Sequence, residues 1–169
     1  MIFLTVGNWH KGFDRLVEAV DSLKSTNVIS EDVVAQIGLG RYRPTHLMAI
    51  DYCSPSEFAN IVAESRVVIT HAGIGTIGQA LTLAKPVIVV PRKAELGECS
   101  DSHQWTTAKQ LEQERKVLVA YEVGDLPRKI KEAGTFIPSQ NNVGAQRLIQ
   151  AVEEFLENLA AEKAGQRKQ

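Results

Sequence analysis

The chain has 169 residues and a net charge of −1, with 44% hydrophobic and 23% charged residues. That length suits one globular domain with its own core, and a near-neutral chain carries no electrostatic footprint for nucleic acid. Two cysteines, Cys53 and Cys99, without metal-ligand spacing around them, suggest a reduced cytosolic protein and not a disulfide scaffold.

Met1 to Val6 is apolar but short and has no preceding basic region, so it reads as a first strand and not a signal peptide. Phe13, Leu16, Val17, Val20 and Leu23 then share one helical face. Val33 to Ile37 and Leu47 to Tyr52 are the next strands. Ser54-Pro55-Ser56-Glu57 opens a helix: Ser54 caps it, Pro55 suits the first position and Glu57 closes a capping box. Strand 67–70, a glycine-rich turn, helix 76–84 and strand 87–90 follow. A long polar stretch from Arg92 to Ser100 leads into a helix over Asp101 to Glu114. Lys116 to Ala120 is the last strand, and Gly124-Asp125-Leu126-Pro127 starts a short helix. Leu148, Ile149, Val152, Phe155, Leu156 and Leu159 predict a long final helix, which packs on the domain or offers its apolar face to a partner. Residues 1–163 read as one domain and 164–169 as a polar tail. The alternation predicts an α/β fold, a single Rossmann-like doubly wound parallel sheet. No apolar run approaches the ~20 residues that span a bilayer, so any membrane role comes through a partner.

The chemistry concentrates at glycine-rich turns that follow strands. Gly73-Ile74-Gly75-Thr76-Ile77-Gly78 fits the Gly-x-Gly-x-x-Gly pattern, in which backbone N–H groups and a helix N-terminus face an anionic ligand. An NAD site wants this pattern after the first strand and an acidic residue at the end of the next one. Here it follows a late strand, and the next strand ends at Val90-Pro91-Arg92. A dinucleotide-linked dehydrogenase is therefore disfavoured. The alternative that the glycines serve only helix–sheet packing stays open. Gly7-Asn8-Trp9-His10-Lys11-Gly12 is a second such loop, either a plain turn or a phosphate contact through Asn8. Asp101-Ser102-His103-Gln104 either caps its helix or also hydrogen-bonds sugar hydroxyls. Nothing has zinc spacing, and no Gly-x-Ser-x-Gly elbow occurs.

Ile69 to Leu81, Lys85 to Pro91 and Asp101 to Gln104 together resemble the C-terminal, nucleotide-sugar-binding domain of family 28 glycosyltransferases. Phe3-Leu4-Thr5-Val6-Gly7 with Phe13-Asp14-Arg15-Leu16 is similar to a subgroup in which this domain is a separate polypeptide. That subgroup includes the cytosolic subunit of the two-part N-acetylglucosaminyltransferase of dolichol-linked oligosaccharide synthesis. It also includes one component of paired bacterial exopolysaccharide and capsule transferases. The resemblance covers residues 1 to about 130.

The resemblance implies one half of a GT-B enzyme that holds a UDP-sugar as substrate, with no cofactor and no metal. A membrane-associated glycosyltransferase subunit would bind a lipid-linked acceptor. This chain would be cytoplasmic and be recruited to the inner face of the membrane by that partner. The loop His71 to Thr76, with Gly73 and Gly75, would lie against the nucleotide and its diphosphate. Gln79 would hold the ribose in place of the usual glutamate, Gly7 and Asn8 would approach the diphosphate, and His103 and Gln104 would reach the donor sugar. On this reading, Gln104→Ala weakens donor-sugar use and leaves UDP affinity nearly intact. His10 is the local candidate for a general base, which the partner could supply instead. The competing reading is a non-catalytic subunit that stabilises a transferase partner, and Gln79 is the feature that favours it.

Overall fold

A computed structural model describes residues 1–8 and 11–139. Trp9, His10, the expected final helix and the 164–169 tail lie outside the described residues.

Six parallel strands form one sheet: β1 (Ile2–Thr5), β2 (Val33–Gln36), β3 (Met48–Ile50), β4 (Val67–Thr70), β5 (Val87–Val89) and β6 (Leu118–Val119). Their order is β3-β2-β1-β4-β5-β6. Between them run α1 (Asp14–Ser25), α2 (Pro55–Glu64), α3 (Ile74–Thr82) and α4 (His103–Gln113), and α5 (Leu126–Glu132) follows β6. The sheet is the Rossmann-like α/β arrangement expected from the alternating pattern.

Every residue of β1, β4 and β5 is buried, as a parallel strand covered on both faces requires. Two apolar layers do the covering. Ile2, Leu4 and Val6 pack with Phe13, Leu16, Val17 and Val20 around α1, and with Leu126 and Ala133 around α5. Phe3, Val68, Val87 and Val89 face Val62 of α2, Ile77 and Ala80 of α3, and Ala108 of α4. Residues alternate between the layers because successive strand side chains point to opposite faces.

Local signals fix several boundaries. Ser54 accepts from the Glu57 N–H at 3.3 Å, while a Glu57 oxygen accepts from the Ser54 N–H at 2.8 Å. That completes the expected capping box, with Pro55 inside the start of the helix. The α4 start differs from expectation: Ser102 is the cap residue without a side-chain bond. Asp101 instead accepts from the His103 N–H at 2.9 Å. The strand expected over Lys116 to Ala120 contracts to Leu118–Val119. It is an edge strand with a partner on one side only, so fewer residues are held in the ladder.

Chain order reverses at β1. The path moves outward to β2 and β3, then returns to place β4 on the other side of β1. The loops leaving β1 and β4 therefore diverge at neighbouring strand ends and open a crevice, the usual ligand position in such a sheet.

Candidate functional site at the β1–β4 switch point

The crevice is a cleft of about 480 Å³ lined by Gly7, Asn8, Gln36, Cys53, Pro55, Phe58, His71, Gly73, Gly75, Thr76 and Gln79. Seven of the nine residues singled out from the sequence line it: Gly7, Asn8, His71, Gly73, Gly75, Thr76 and Gln79. They come from the ends of β1 and β4 and from the first two turns of α3.

His71 organises the floor. Its ring sits against both glycine turns: a β-carbon on Gly7 would stand 2.5 Å from His71 Cε1, and one on Gly73 would stand 2.7 Å from the same atom. Gly7 also has φ +72°, the left-handed region that glycine enters without strain. These two glycines thus have a steric reason that the motif alone does not give. The Thr70 hydroxyl lies 3.3 Å from His71 Nδ1. Burial, with the Arg92 charge adding to it, pushes the His71 pKa down to about 4. The imidazole is neutral at pH 7.

The α3 start supplies the wall. Gly73 caps the helix without a side chain, and the first intrahelical bond runs from the Ile77 N–H to Gly73 O at 3.2 Å. The N–H groups of Ile74, Gly75 and Thr76 precede that bond and have no acceptor within the helix. Together with the helix dipole they favour a negative charge. Among the described residues, no lysine, arginine, aspartate or glutamate lines the cleft. The donors that these residues offer to a ligand are neutral.

His103 and Gln104 do not line this cleft. His103 is exposed at the start of α4. Gln104 Oε1 accepts from the Arg92 N–H at 3.1 Å and the Ala72 N–H at 3.3 Å. It ties the segments leaving β4 and β5 to α4. The side chain expected to reach a sugar thus braces the loops behind the cleft through its oxygen.

The polar stretch after β5 is also more buried than its composition suggests. Arg92 is 1% exposed. Its guanidinium donates to the carbonyls of Val6 at 3.0 Å, Gly12 at 2.8 Å, and Lys11 and Glu98 at 3.2 Å. It also lies 4.6 Å from the centre of the Phe13 ring. Burial pulls its pKa down, and the Glu98 charge opposes that pull. Arg92 thereby fastens the segment after β1 to the segment after β5.

Gln36, Cys53, Pro55 and Phe58 also line the cleft, and the sequence did not mark them as site residues. Phe58 meets Phe3 edge-to-face at 5.2 Å. The Cys53 thiol pKa is raised by burial and by Glu57, which makes it a poor nucleophile. Among the described residues no group of three or more His, Cys, Asp and Glu could hold a metal. No helix among them is long and apolar enough to cross a membrane.

A doubly wound parallel sheet with a crevice at its switch point defines the class: a Rossmann-like α/β domain, similar to the halves of GT-B glycosyltransferases. Residues 1–168 match the glycosyltransferase family 28 C-terminal domain, and the chain belongs to that family. The match runs well past the segment that carries the recognisable motifs. No curated protein sequence matches the chain. Among solved structures it is similar to the glycosyltransferase of kitacinnamycin, with 16% identity and a TM-score of 0.60. The similarity covers 79% of this chain but only 34% of that enzyme, so the chain spans about a third of its length. It is also similar to ALG13, with 19% identity and a TM-score of 0.60, covering 87% of this chain and 93% of that one. A molybdenum cofactor binding protein from Rippkaea orientalis is similar at 16% identity and a TM-score of 0.50, covering 78% and 94%. The sheet alone therefore does not choose a ligand; family membership narrows the choice.

Proposed function

We propose that this chain is the donor-binding subunit of a two-component glycosyltransferase. It holds a UDP-sugar while a membrane-associated partner presents a lipid-linked saccharide, and a hexosyl group passes between them. The observation that carries the reading is the cleft at the β1–β4 switch point, where His71 packs between Gly7 and Gly73 and the α3 N-terminus faces the opening. Membership of a glycosyltransferase family supports the transfer of a sugar, and a UDP-sugar donor is the reading that the sequence motifs favour. The coverage of ALG13, near the full length of both chains, supports a domain that stands as a separate subunit.

In the proposed reaction an acceptor hydroxyl attacks the anomeric carbon, the bond from that carbon to the diphosphate oxygen breaks, and UDP leaves. Negative charge grows on the departing diphosphate. The N–H groups of Ile74, Gly75 and Thr76 are already oriented there and stabilise it without reorganisation. Asn8 adds an amide, and Gln79, one turn into α3, is placed for the ribose. A general base must take the hydroxyl proton, and the described residues lining the cleft contain no carboxylate for this. The neutral His71 is turned inward against two glycines, so the base is assigned to the partner or to the 9–10 segment. The subunit works in the cytoplasm, at the membrane face where its partner sits.

Isothermal titration of UDP into the chain, alone and with its acceptor-binding partner, tests the reading. Saturable binding in at least one condition is expected. No heat of binding in either would sink the donor-subunit assignment.

A further inference from the structure

Gln36 is a polar residue, 2% exposed, at the end of β2. The sheet register sets it directly beside Thr5 of β1. Its hydrogen bonds form a chain whose direction can be worked out from donors and acceptors alone. The Gly7 N–H donates to Thr5 Oγ1 at 3.2 Å. The Thr5 hydroxyl then donates its own proton to Gln36 Oε1. At the other end of the Gln36 amide lie the carbonyls of Gly7 and Asp51, both at 3.5 Å. Carbonyls only accept, so the group facing them is the Gln36 NH2. That same NH2 donates to Asn8 Oδ1 at 3.1 Å. The Asn8 oxygen is therefore committed to Gln36, and the group left over is the Asn8 NH2.

We propose that Gln36 is a positioning residue of the cleft. Locked by Thr5, it fixes the Asn8 amide so that its NH2 donors, and not its oxygen, are presented to the diphosphate of the bound nucleotide. The inference rests on the donor-site reading above. An asparagine beside an anion is useful in one orientation only, because the flipped amide would turn a lone-pair oxygen toward phosphate oxygens. Gln36 removes that flipped state before the ligand arrives. Asn8 touches the ligand; Gln36 acts through it.

A double-mutant cycle on the full chain, read by UDP titration, tests the coupling. Asn8→Ala should weaken UDP binding about tenfold, the loss of a hydrogen bond to a charged group. Gln36→Met, similar in length and apolar, should weaken it about threefold to tenfold with Asn8 present. With Asn8→Ala in place, Gln36→Met should change affinity by less than about 1.5-fold, within the additivity limit for independent sites. Equal penalties in both backgrounds would overturn the proposal and leave Gln36 as a structural residue. Side-chain amide exchange in the unliganded wild type is the second measurement, and it survives any failure of the variants to fold. The Gln36 NH2 should be protected and the Asn8 NH2 should exchange freely with water; the reverse pattern would overturn the orientation. If wild type shows this exchange pattern but no UDP binding, the donor-site reading fails and the assigned ligand with it, while the amide orientation stands.

Discussion

Arg15 and Glu98 meet in a two-point ion pair, with 2.8 Å between Nε and Oε1 and 2.9 Å between Nη2 and Oε2. Through it the first turn of α1 holds the segment that follows β5. Glu98 also accepts from the Lys93 N–H at 2.8 Å, and its backbone carbonyl accepts from Arg92. Glu98 thus serves the half-buried Arg15 guanidinium and a backbone turn through its carboxylate, and the buried Arg92 guanidinium through its backbone carbonyl.

Glu98→Gln should therefore destabilise the fold by about 3 kcal/mol, because it removes the countercharge from a largely buried pair. Urea unfolding measures this as a lower midpoint with an unchanged slope. A midpoint shift worth less than about 0.5 kcal/mol, the range of ordinary surface substitutions, would show that solvent already screens the pair.

Gly73 has φ −89° and ψ 116°, which any residue can adopt, so Gly73→Ala tests sterics alone. The new methyl group meets the His71 ring and should cost about 2 kcal/mol, typical of an overfilled site. In a His71→Ala background most of that penalty should vanish. Gly7→Ala should cost more and be rescued only in part, because φ +72° adds left-handed strain of about 1 kcal/mol. Calorimetric melting of the single and double variants checks both statements, and full additivity would contradict them.

His71 should make the fold acid-sensitive. Its folded pKa of about 4 lies below the unfolded value of 6.5. Between these values the unfolded chain binds the extra proton, so stability rises with pH. The contribution is present above pH 6.5 and is lost as pH falls toward 4, amounting to about 3 kcal/mol. Carboxylates add acid sensitivity from their own, lower ranges. Asp21 is lowered on balance, with burial raising it and the Thr45 and His46 N–H groups outweighing that effect. Glu31 is lowered by its Arg66 hydrogen bond. Subtracting the stability profile of His71→Gln from that of wild type isolates the histidine. A flat difference between pH 4.5 and 6.5 would refute the assignment.

Gln104→Ala should lower stability by about 2 kcal/mol, since it strips the acceptor from the N–H groups of Ala72 and Arg92, both buried. Gln104→Glu keeps an acceptor at that position and should be tolerated better. The pair of variants separates bracing from sugar contact: equal melting temperatures with selective loss of donor-sugar use would return Gln104 to a direct binding role.

The fold was legible because its strands are unbroken apolar runs and its turns carry glycine. Ile2–Thr5, Val67–Thr70 and Val87–Val89 needed no long-range information. The Ser54 capping box is a four-residue signal and was equally readable. Gln36 was not. It ends an apolar strand, and its meaning depends on the register that sets it beside Thr5, 31 residues away. Arg92 read as the start of a long polar stretch, yet its partners at Val6, Lys11 and Gly12 lie 80 or more positions earlier in the chain. Gln104 was singled out for a sugar contact, but its bonds to the Ala72 and Arg92 N–H groups join positions 32 and 12 residues away and leave no local signal. Periodicity reports which face a residue occupies and is silent about what approaches that face.

Among the described residues the cleft lining is uncharged, which bears on how the proposed nucleotide binding responds to ionic strength. A site built from lysines and arginines loses affinity steeply when salt is added, because counterions compete for the same point charges. Backbone dipoles held by the hydrogen bonds of α3 have no mobile counterion to displace. Nucleotide affinity should therefore decline only gently between dilute buffer and the potassium levels of a cell, and selection would come from the placement of N–H groups and not from the strength of a field.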